Sequence, residues 1–188
     1  YAGGLAPTKI FVEDKYVRAA LGGTGEAKCG GNYAAGLKAQ EEAAARGYEQ
    51  ILWLDGMERK YVEEIGTSNA FFIIDDEVIT PPLEGTILPG ITRASVIEIL
   101  KDKGHKVSEK KLTIDEVTAA HKKGTFREMF AAGTAAVISP VGELCYKEEK
   151  MVINGGGIGP VARYVYDTIY GIQTGTVKDK KGWITEVK

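Results

Sequence analysis

Residues 21–36 concentrate small residues around a single cation. They read Leu-Gly-Gly-Thr-Gly-Glu-Ala-Lys-Cys-Gly-Gly-Asn-Tyr-Ala-Ala-Gly, so Gly22, Gly23 and Gly25 precede Lys28 while Gly30 and Gly31 follow it. Glycines let backbone run close to a bound group. A lysine in a loop is ordinarily a solvated charge, but small residues crowding both sides point to one presented to a ligand. Two nucleotide-binding patterns fail here. The phosphate-loop pattern needs Gly before and Ser or Thr after the lysine, where this chain has Ala27 and Cys29. The dinucleotide pattern starting at Gly23 needs a glycine where Lys28 itself stands.

Three further windows supply groups that complement an amine. Residues 63–70 (Glu-Glu-Ile-Gly-Thr-Ser-Asn-Ala) put Glu63 and Glu64 on extended backbone, where successive side chains point to opposite faces. Only one of the two can face a pocket, and exposure of both is the ordinary alternative. Residues 81–93 run a Pro-Gly turn into a helix, leaving the amides of Ile91 and Thr92 unpaired at the positive end of its dipole. Such an end suits an anion, although most helices offer theirs only to water. Residues 130–137 carry Gly133 and Thr134 between alanines, either a plain tight turn or one exposing N–H groups and a hydroxyl to a small anion. The set comprises a lysine able to form an imine, a carboxylate able to keep a ring nitrogen protonated, and a helix start able to take a phosphate. Those are the protein-side requirements of pyridoxal phosphate, whose ring acts as an electron sink.

Rigid elements must hold these windows. Helical spacing is clearest at 34–46, with Leu37 and Ala44 on one stripe, and at 92–101, with Ile91, Ala94, Val96, Ile97 and Leu100 on one side. A third helix is expected at 160–172, opened by Pro160. Thr113 and Glu116 form a capping-box pattern ahead of a shorter helix at 114–122. Short β-branched or aromatic runs read as strands at 8–12, 50–54, 70–74, 78–80, 127–130, 135–139 and 144–147. Strands alternate with helices in the first half and follow one another in the second. The expected fold class is α/β (mixed α+β), strands with packed helices.

Composition bounds the function classes. The 188 residues, 44% hydrophobic and 27% charged, suffice for one sizeable core. Lys plus Arg number 24 against 26 Asp plus Glu, with no basic run, which argues against a dedicated nucleic-acid or membrane-surface binder. The longest stretch free of charged residues, 129–142, is shorter than the roughly 18 apolar residues of a helical membrane span. Cys29 and Cys145 lie far apart and His105 and His121 are the only histidines. Neither a disulfide scaffold nor a metal site is expected, and the compartment is read as reducing and cytoplasmic. The chain begins Tyr-Ala-Gly-Gly-Leu, with neither an initiator Met nor a charged-then-apolar leader, so a processed or truncated piece of a longer protein is expected.

The string GGTGEAKCGGNYAAG resembles the lysine motif of branched-chain amino-acid aminotransferases, within the fold-type IV pyridoxal-phosphate enzymes. The agreement continues in order through ILWLDG, EEIGTSNAFF, TPPLEGTILPGITR, REMFAAGTAAVISPV and IYGIQTG. The resemblance covers the larger domain of that family. Residues 1–188 are therefore expected to form the C-terminal, cofactor-lysine-bearing domain, with the N-terminal small domain absent. By position it implies that Lys28 is the Schiff-base lysine and proton shuttle, that Tyr33 bonds the ring hydroxyl, and that Glu64 pairs with the ring nitrogen beside Thr67. The phosphate would lie on the amides of Ile91 and Thr92 near Thr134, and Thr134 and Ala135 would receive the substrate α-carboxylate.

The implied cofactor is pyridoxal 5'-phosphate. The implied reaction passes the amino group of Leu, Ile or Val to it and then to 2-oxoglutarate, giving 2-oxo acids and glutamate, in a homodimer. Some relatives carry a Cys pair after the Gly-Thr-Ala turn; Ala136 and Ser139 stand there instead, so no thiol switch is expected, and Cys29 is expected to be a small packed residue. The absent domain would supply an arginine for the phosphate and aromatic residues for the substrate pocket. Alone, the chain is expected to bind cofactor weakly, transaminate poorly or not at all, and leave an apolar face uncovered, with Phe71, Phe72 and Tyr33 as candidates. D-amino-acid aminotransferases and 4-amino-4-deoxychorismate lyases share the lysine-plus-glutamate arrangement, and a non-catalytic binding or assembly domain is the alternative from another class. The strings quoted above favour the branched-chain group.

Overall fold

In the run Ala70-Phe71-Phe72-Ile73 every side chain is buried. Because neighbours on a strand point to opposite faces, this requires cover on both sides. The computed structural model, which describes residues 4–185 and residue 187, shows what provides it. The described residues form nine strands: β1 (Thr8–Glu13), β2 (Gln50–Leu54), β3 (Val62–Ile65), β4 (Ser68–Ile74), β5 (Glu77–Thr80), β6 (Lys106–Glu109), β7 (Phe126–Gly133), β8 (Val137–Tyr146) and β9 (Glu149–Val152). Five α-helices accompany them: α1 (Gly30–Ala34), α2 (Leu37–Ala45), α3 (Ile91–Asp102), α4 (Ile114–Lys123) and α5 (Pro160–Gln173). The strand order is β3-β2-β1-β8-β7-β4-β5-β6, with β9 on β8, and β3 also pairs with β4. That extra pairing closes β3-β2-β1-β8-β7-β4 into a ring.

All six ring strands contribute to one apolar cluster, including Ile10, Leu52, Val62, Phe72, Met129 and Leu144, joined by Ile114 and Val117 of α4. The other faces of β4 and β7 place Phe71, Ile73 and Phe130 against Val96 and Leu100 of α3 and Val165 of α5. Phe71 and Phe130 are register partners with stacked rings 5.0 Å apart. Phe71 and Phe72 are thus buried core residues and belong to no uncovered face; of the three aromatic candidates only Tyr33 is exposed.

The expected mixed α/β class holds, with local corrections. The helix expected at 34–46 is two pieces, broken at Ala35–Gly36, where a side chain on Gly36 would press on the Trp53 ring at 3.1 Å. Its inward residues are Ala39 and Ala43, not Leu37 and Ala44. In α3 the buried residues are Arg93, Val96, Ile97, Ile99 and Leu100, while Ile91 and Ala94 face solvent. The strands expected at 135–139 and 144–147 are one strand, β8. Its Pro140 and Gly142 look like a break, but β1 steps from Val141 to Glu143 between Thr8 and Lys9, so Gly142 is the extra residue of a bulge. β3, β6 and β9 had no counterpart among the expected strands. Each has four residues and carries charges that obscure the alternation.

Two helix starts are fixed by side chains. In α4 the Glu116 amide donates to Thr113 Oγ1 (3.1 Å), and the Thr113 amide donates to the Glu116 carboxylate (2.8 Å), completing the expected capping box. In α5 the amides of Val161 and Ala162 donate to the buried Glu128 carboxylate of β7 at 3.1 Å. Urea unfolding should read Thr113→Ala as a loss of about 1 kcal/mol. Glu128→Ala, which strands buried amides, should cost more, about 3 kcal/mol. Equal losses would mean that Glu128 does not hold α5.

Candidate functional site

Lys28 is placed by its own loop. Asn32 donates to the carbonyls of Thr24 (2.6 Å) and Ala27 (2.7 Å) and accepts from the Thr24 hydroxyl (2.8 Å), pinning the turn just before the lysine. The loop lies against residues 81–93 because Gly25 has no side chain: a Cβ there would collide with the Thr86 backbone. Lys28 is exposed, and its Nζ lies 3.2 Å from the hydroxyl of Tyr33 on α1. Cys29 is half-exposed rather than packed, and the Thr24 hydroxyl holds its thiol below the usual range.

Both adjacent carboxylates are buried, Glu63 at 6% and Glu64 at 3% exposure, against the ordinary reading of two solvated side chains. Glu63 Oε1 accepts from the Thr86 hydroxyl at 2.6 Å, and its Oε2 has no partner among the described residues. Glu64 Oε2 lies 3.2 Å from Arg18 Nε, and its Oε1 accepts from the Asn69 amide at 3.2 Å. Burial pushes the Glu64 carboxyl up to about 7, opposed by Arg18 and the Leu88 backbone and reinforced by Glu63. Burial also raises Glu63, against the Thr86 hydroxyl and Arg18. Glu64, Tyr33 and Thr67 line a common cavity of about 20 Å³, water-sized, with Tyr33 and Thr67 exposed at its edge.

The remaining windows meet at Ser68–Asn69. Asn69 lies opposite Glu64 in β3 and Ala132 in β7, and its amide also donates to the Leu88 carbonyl at 3.0 Å. Gly90, the residue before α3, packs so tightly on the Asn69 oxygen that a Cβ would collide with it. Gly133 backs onto Ser68, whose Oγ would lie 2.6 Å from an added Cβ. Among the described residues no side chain caps α3, and Ala94 is the first amide to turn back onto Gly90. The amides of Ile91 and Thr92 therefore point out of the helix start, with Ile91 83% exposed and Thr92 half-buried. Thr134 and Ala135 lie exposed in the β7–β8 turn, which ends at Val137 with φ 59°, a conformation β-branched residues avoid.

An exposed amine beside a phenol, a buried carboxylate lining the phenol's cavity and a free helix start form a donor set that fits pyridoxal phosphate. Arg18 and Asn69 were not singled out from the sequence. The available signal for Arg18 was an isolated charge in Val-Arg-Ala-Ala-Leu, just before the glycine-rich loop. Among the described residues no cluster of three or more His, Cys, Asp or Glu could hold a metal, and no helix is long and apolar enough to cross a membrane.

Comparison with known proteins gives the arrangement a context. The model of the amino-transferase class IV family matches residues 23–144. Branched-chain-amino-acid aminotransferase 2 of Bacillus subtilis (strain 168) is 57% identical over 187 residues, 100% of this chain and 52% of that protein. A probable branched-chain-amino-acid aminotransferase of Staphylococcus aureus (strain N315) is 54% identical, covering 97% of this chain and 52% of its own length. The crystal structure of the Escherichia coli branched-chain amino acid aminotransferase superposes with a TM-score of 0.83 at 31% identity, over 98% of this chain and 57% of that one. The T.th. branched-chain amino acid aminotransferase complexed with N-(5'-phosphopyridoxyl)-L-glutamate superposes with a TM-score of 0.81 at 33% identity, over 97% and 57%. The chain spans about half the length of the curated relatives it matches. It belongs to the amino-transferase class IV family.

Proposed function

We propose that residues 1–188 are the cofactor-lysine-bearing domain of a pyridoxal-phosphate-dependent transaminase of branched-chain L-amino acids. In this reading the acceptor is 2-oxoglutarate, and the site is completed by an N-terminal domain in a cytoplasmic homodimer. The observation that carries the reading is the pairing of Lys28 with Tyr33 at the edge of a cavity floored by the buried Glu64. The names of the relatives support the substrate class, and the neighbour holding a phosphopyridoxyl-glutamate supports glutamate as the amino product.

The bound cofactor supplies an electron sink for the pair left at the substrate Cα. Lys28 Nζ would be the group that holds the cofactor covalently and, as a free amine, the base that moves the proton at the substrate Cα. The Tyr33 hydroxyl orients the ring hydroxyl. Glu64, as a carboxylate, holds the proton on the ring nitrogen, with Thr67 beside it. The amides of Ile91 and Thr92, helped by Thr134, hold the phosphate. Thr134 and Ala135 receive the substrate carboxylate.

A helix start contributes at most about 2 kcal/mol to holding an anion, roughly a thirtyfold effect on affinity. With Lys28, Tyr33, Thr67, Ile91, Thr134 and Ala135 all open to water, the chain alone should bind cofactor weakly. Pyridoxal phosphate trapped by borohydride should label Lys28 on peptide mapping, while transamination by the chain alone stays far below that of the full-length B. subtilis relative. Label scattered over many lysines would mean that the cofactor site needs the second domain, and the same result in the full-length protein would overturn the cofactor site. Comparable rates would overturn the need for a second domain.

Glu64 also gives a pH signature. Its carboxyl is raised from 4.5 to about 7 in the folded chain, so the native state binds more protons across that window. Its contribution to stability is therefore lost as pH rises from 4.5 to about 7. Thermal unfolding of Glu64→Gln should show a shallower decline over that range than wild type. Identical pH profiles would show that Glu64 does not titrate as a buried carboxyl.

A further inference from the structure

Arg18 is a guanidinium held in the interior at 8% exposure, on the loop that follows β1. Its Nη2 donates to the Thr86 carbonyl, and its Nε stands 3.2 Å from Glu64 Oε2 with both side chains 5% exposed. The Nε–H is not aligned for a hydrogen bond, so the contact acts as charge against charge. From the other side Asn69 donates to Glu64 Oε1 and to the Leu88 carbonyl. Glu64 is gripped from two directions, and both grips end on the segment that delivers the start of α3.

We propose that Arg18 is a positioning residue that favours the ionised form of the buried Glu64 side chain and fixes its orientation towards the cavity shared with Tyr33. Its functional meaning rests on the reading of Glu64 as the partner of the ring nitrogen; the geometry does not. A neutral carboxyl cannot stabilise a proton on a pyridine nitrogen, and burial drives this carboxyl towards neutrality. The groups facing it are few. Glu63 beside it on β3 disfavours its charge; Asn69 on β4 is an uncharged partner and Tyr33 on α1 lines the same cavity; the Leu88 backbone favours the charge. Arg18 is the cation in contact with it among the described residues.

The test follows Glu64 itself in the cofactor-free chain. With glutamate carboxyls carbon-13 labelled and Glu64 assigned through Glu64→Gln, its titration is read by NMR. Arg18→Met should move the Glu64 midpoint upward by about one to three pH units, and Arg18→Lys, which keeps the charge, should recover most of that shift. An unchanged midpoint in Arg18→Met would overturn the proposal. Should Arg18→Met fail to fold by circular dichroism, the double variant Arg18→Met/Glu64→Gln decides. Recovered folding shows that Arg18 acts through the Glu64 charge, and continued unfolding overturns the idea. Borohydride labelling is scored separately: an Arg18-dependent titration with Lys28 unlabelled both in this chain and in the full-length protein would sink the transaminase reading and leave the Arg18 role standing.

Discussion

β3 pairs with β2 on one side and β4 on the other, and this double pairing over four residues is the constraint on which the rest of the site depends. Two antiparallel partners can meet on so short a strand only if the turn into β4 is tight. Gly66 makes that turn at φ 57°, where the Gln50 side chain occupies the space a Cβ would need. Its amide donates to the Ile51 carbonyl at 2.7 Å, and its carbonyl accepts from the Trp53 ring at 2.9 Å. Closing the ring removes Glu63 and Glu64 from water together, one towards each face of the strand. Every later feature answers that burial.

A carboxylate taken out of water must find donors or give up its charge. The two neighbours resolve this differently. Glu63 takes one hydroxyl, from Thr86, and keeps an unpartnered oxygen, and burial raises its carboxyl. Glu64 takes a guanidinium and an amide, an arrangement suited to an anion. A buried ion pair is often no more stabilising than an apolar pair of the same size. Its presence at this point is better explained by what an oriented charge can do at the edge of a cavity. The surrounding loops comply by removing side chains: Gly25 admits the Thr86 backbone and Gly90 admits the Asn69 oxygen.

What was legible in the sequence follows the range of the forces involved. α4 and α5 announce themselves through local devices, a capping box and a proline at the first helical position, and both stand where expected. The window around Lys28 was legible because glycines crowd it, and the window around Glu64 because two adjacent carboxylates lead into an apolar strand. β3, β6 and β9 were not, since four-residue strands bearing charges owe their existence to partners rather than to alternation. β8 was concealed by Pro140 and Gly142, whose bulge makes sense only beside β1. Arg18 reaches Thr86 across 68 positions, and Asn69 reaches Leu88 across 19. Neither reach leaves a local pattern.

The same structure distributes order unevenly across the candidate site. The side that carries Glu64 is built: Glu64 is buried, gripped by Arg18 and Asn69, and backed by the closed ring. The sides proposed for phosphate and substrate are open, with bare amides at Ile91 and Thr92 and an exposed turn at Thr134 and Ala135. An open helix start competes with water for its anion, whereas a buried carboxylate has already been stripped of water during folding. The chain thus carries the group whose charge is costly to bury and leaves exposed the groups that function only when something else excludes solvent. Tyr33, Leu37 and Ile91, apolar and exposed, add surface on which cover would be favourable. In relatives about twice this length, further chain is available to provide that cover. In the proposed reading the Glu64 side would then be set by folding, and the affinity for phosphate and substrate by the cover.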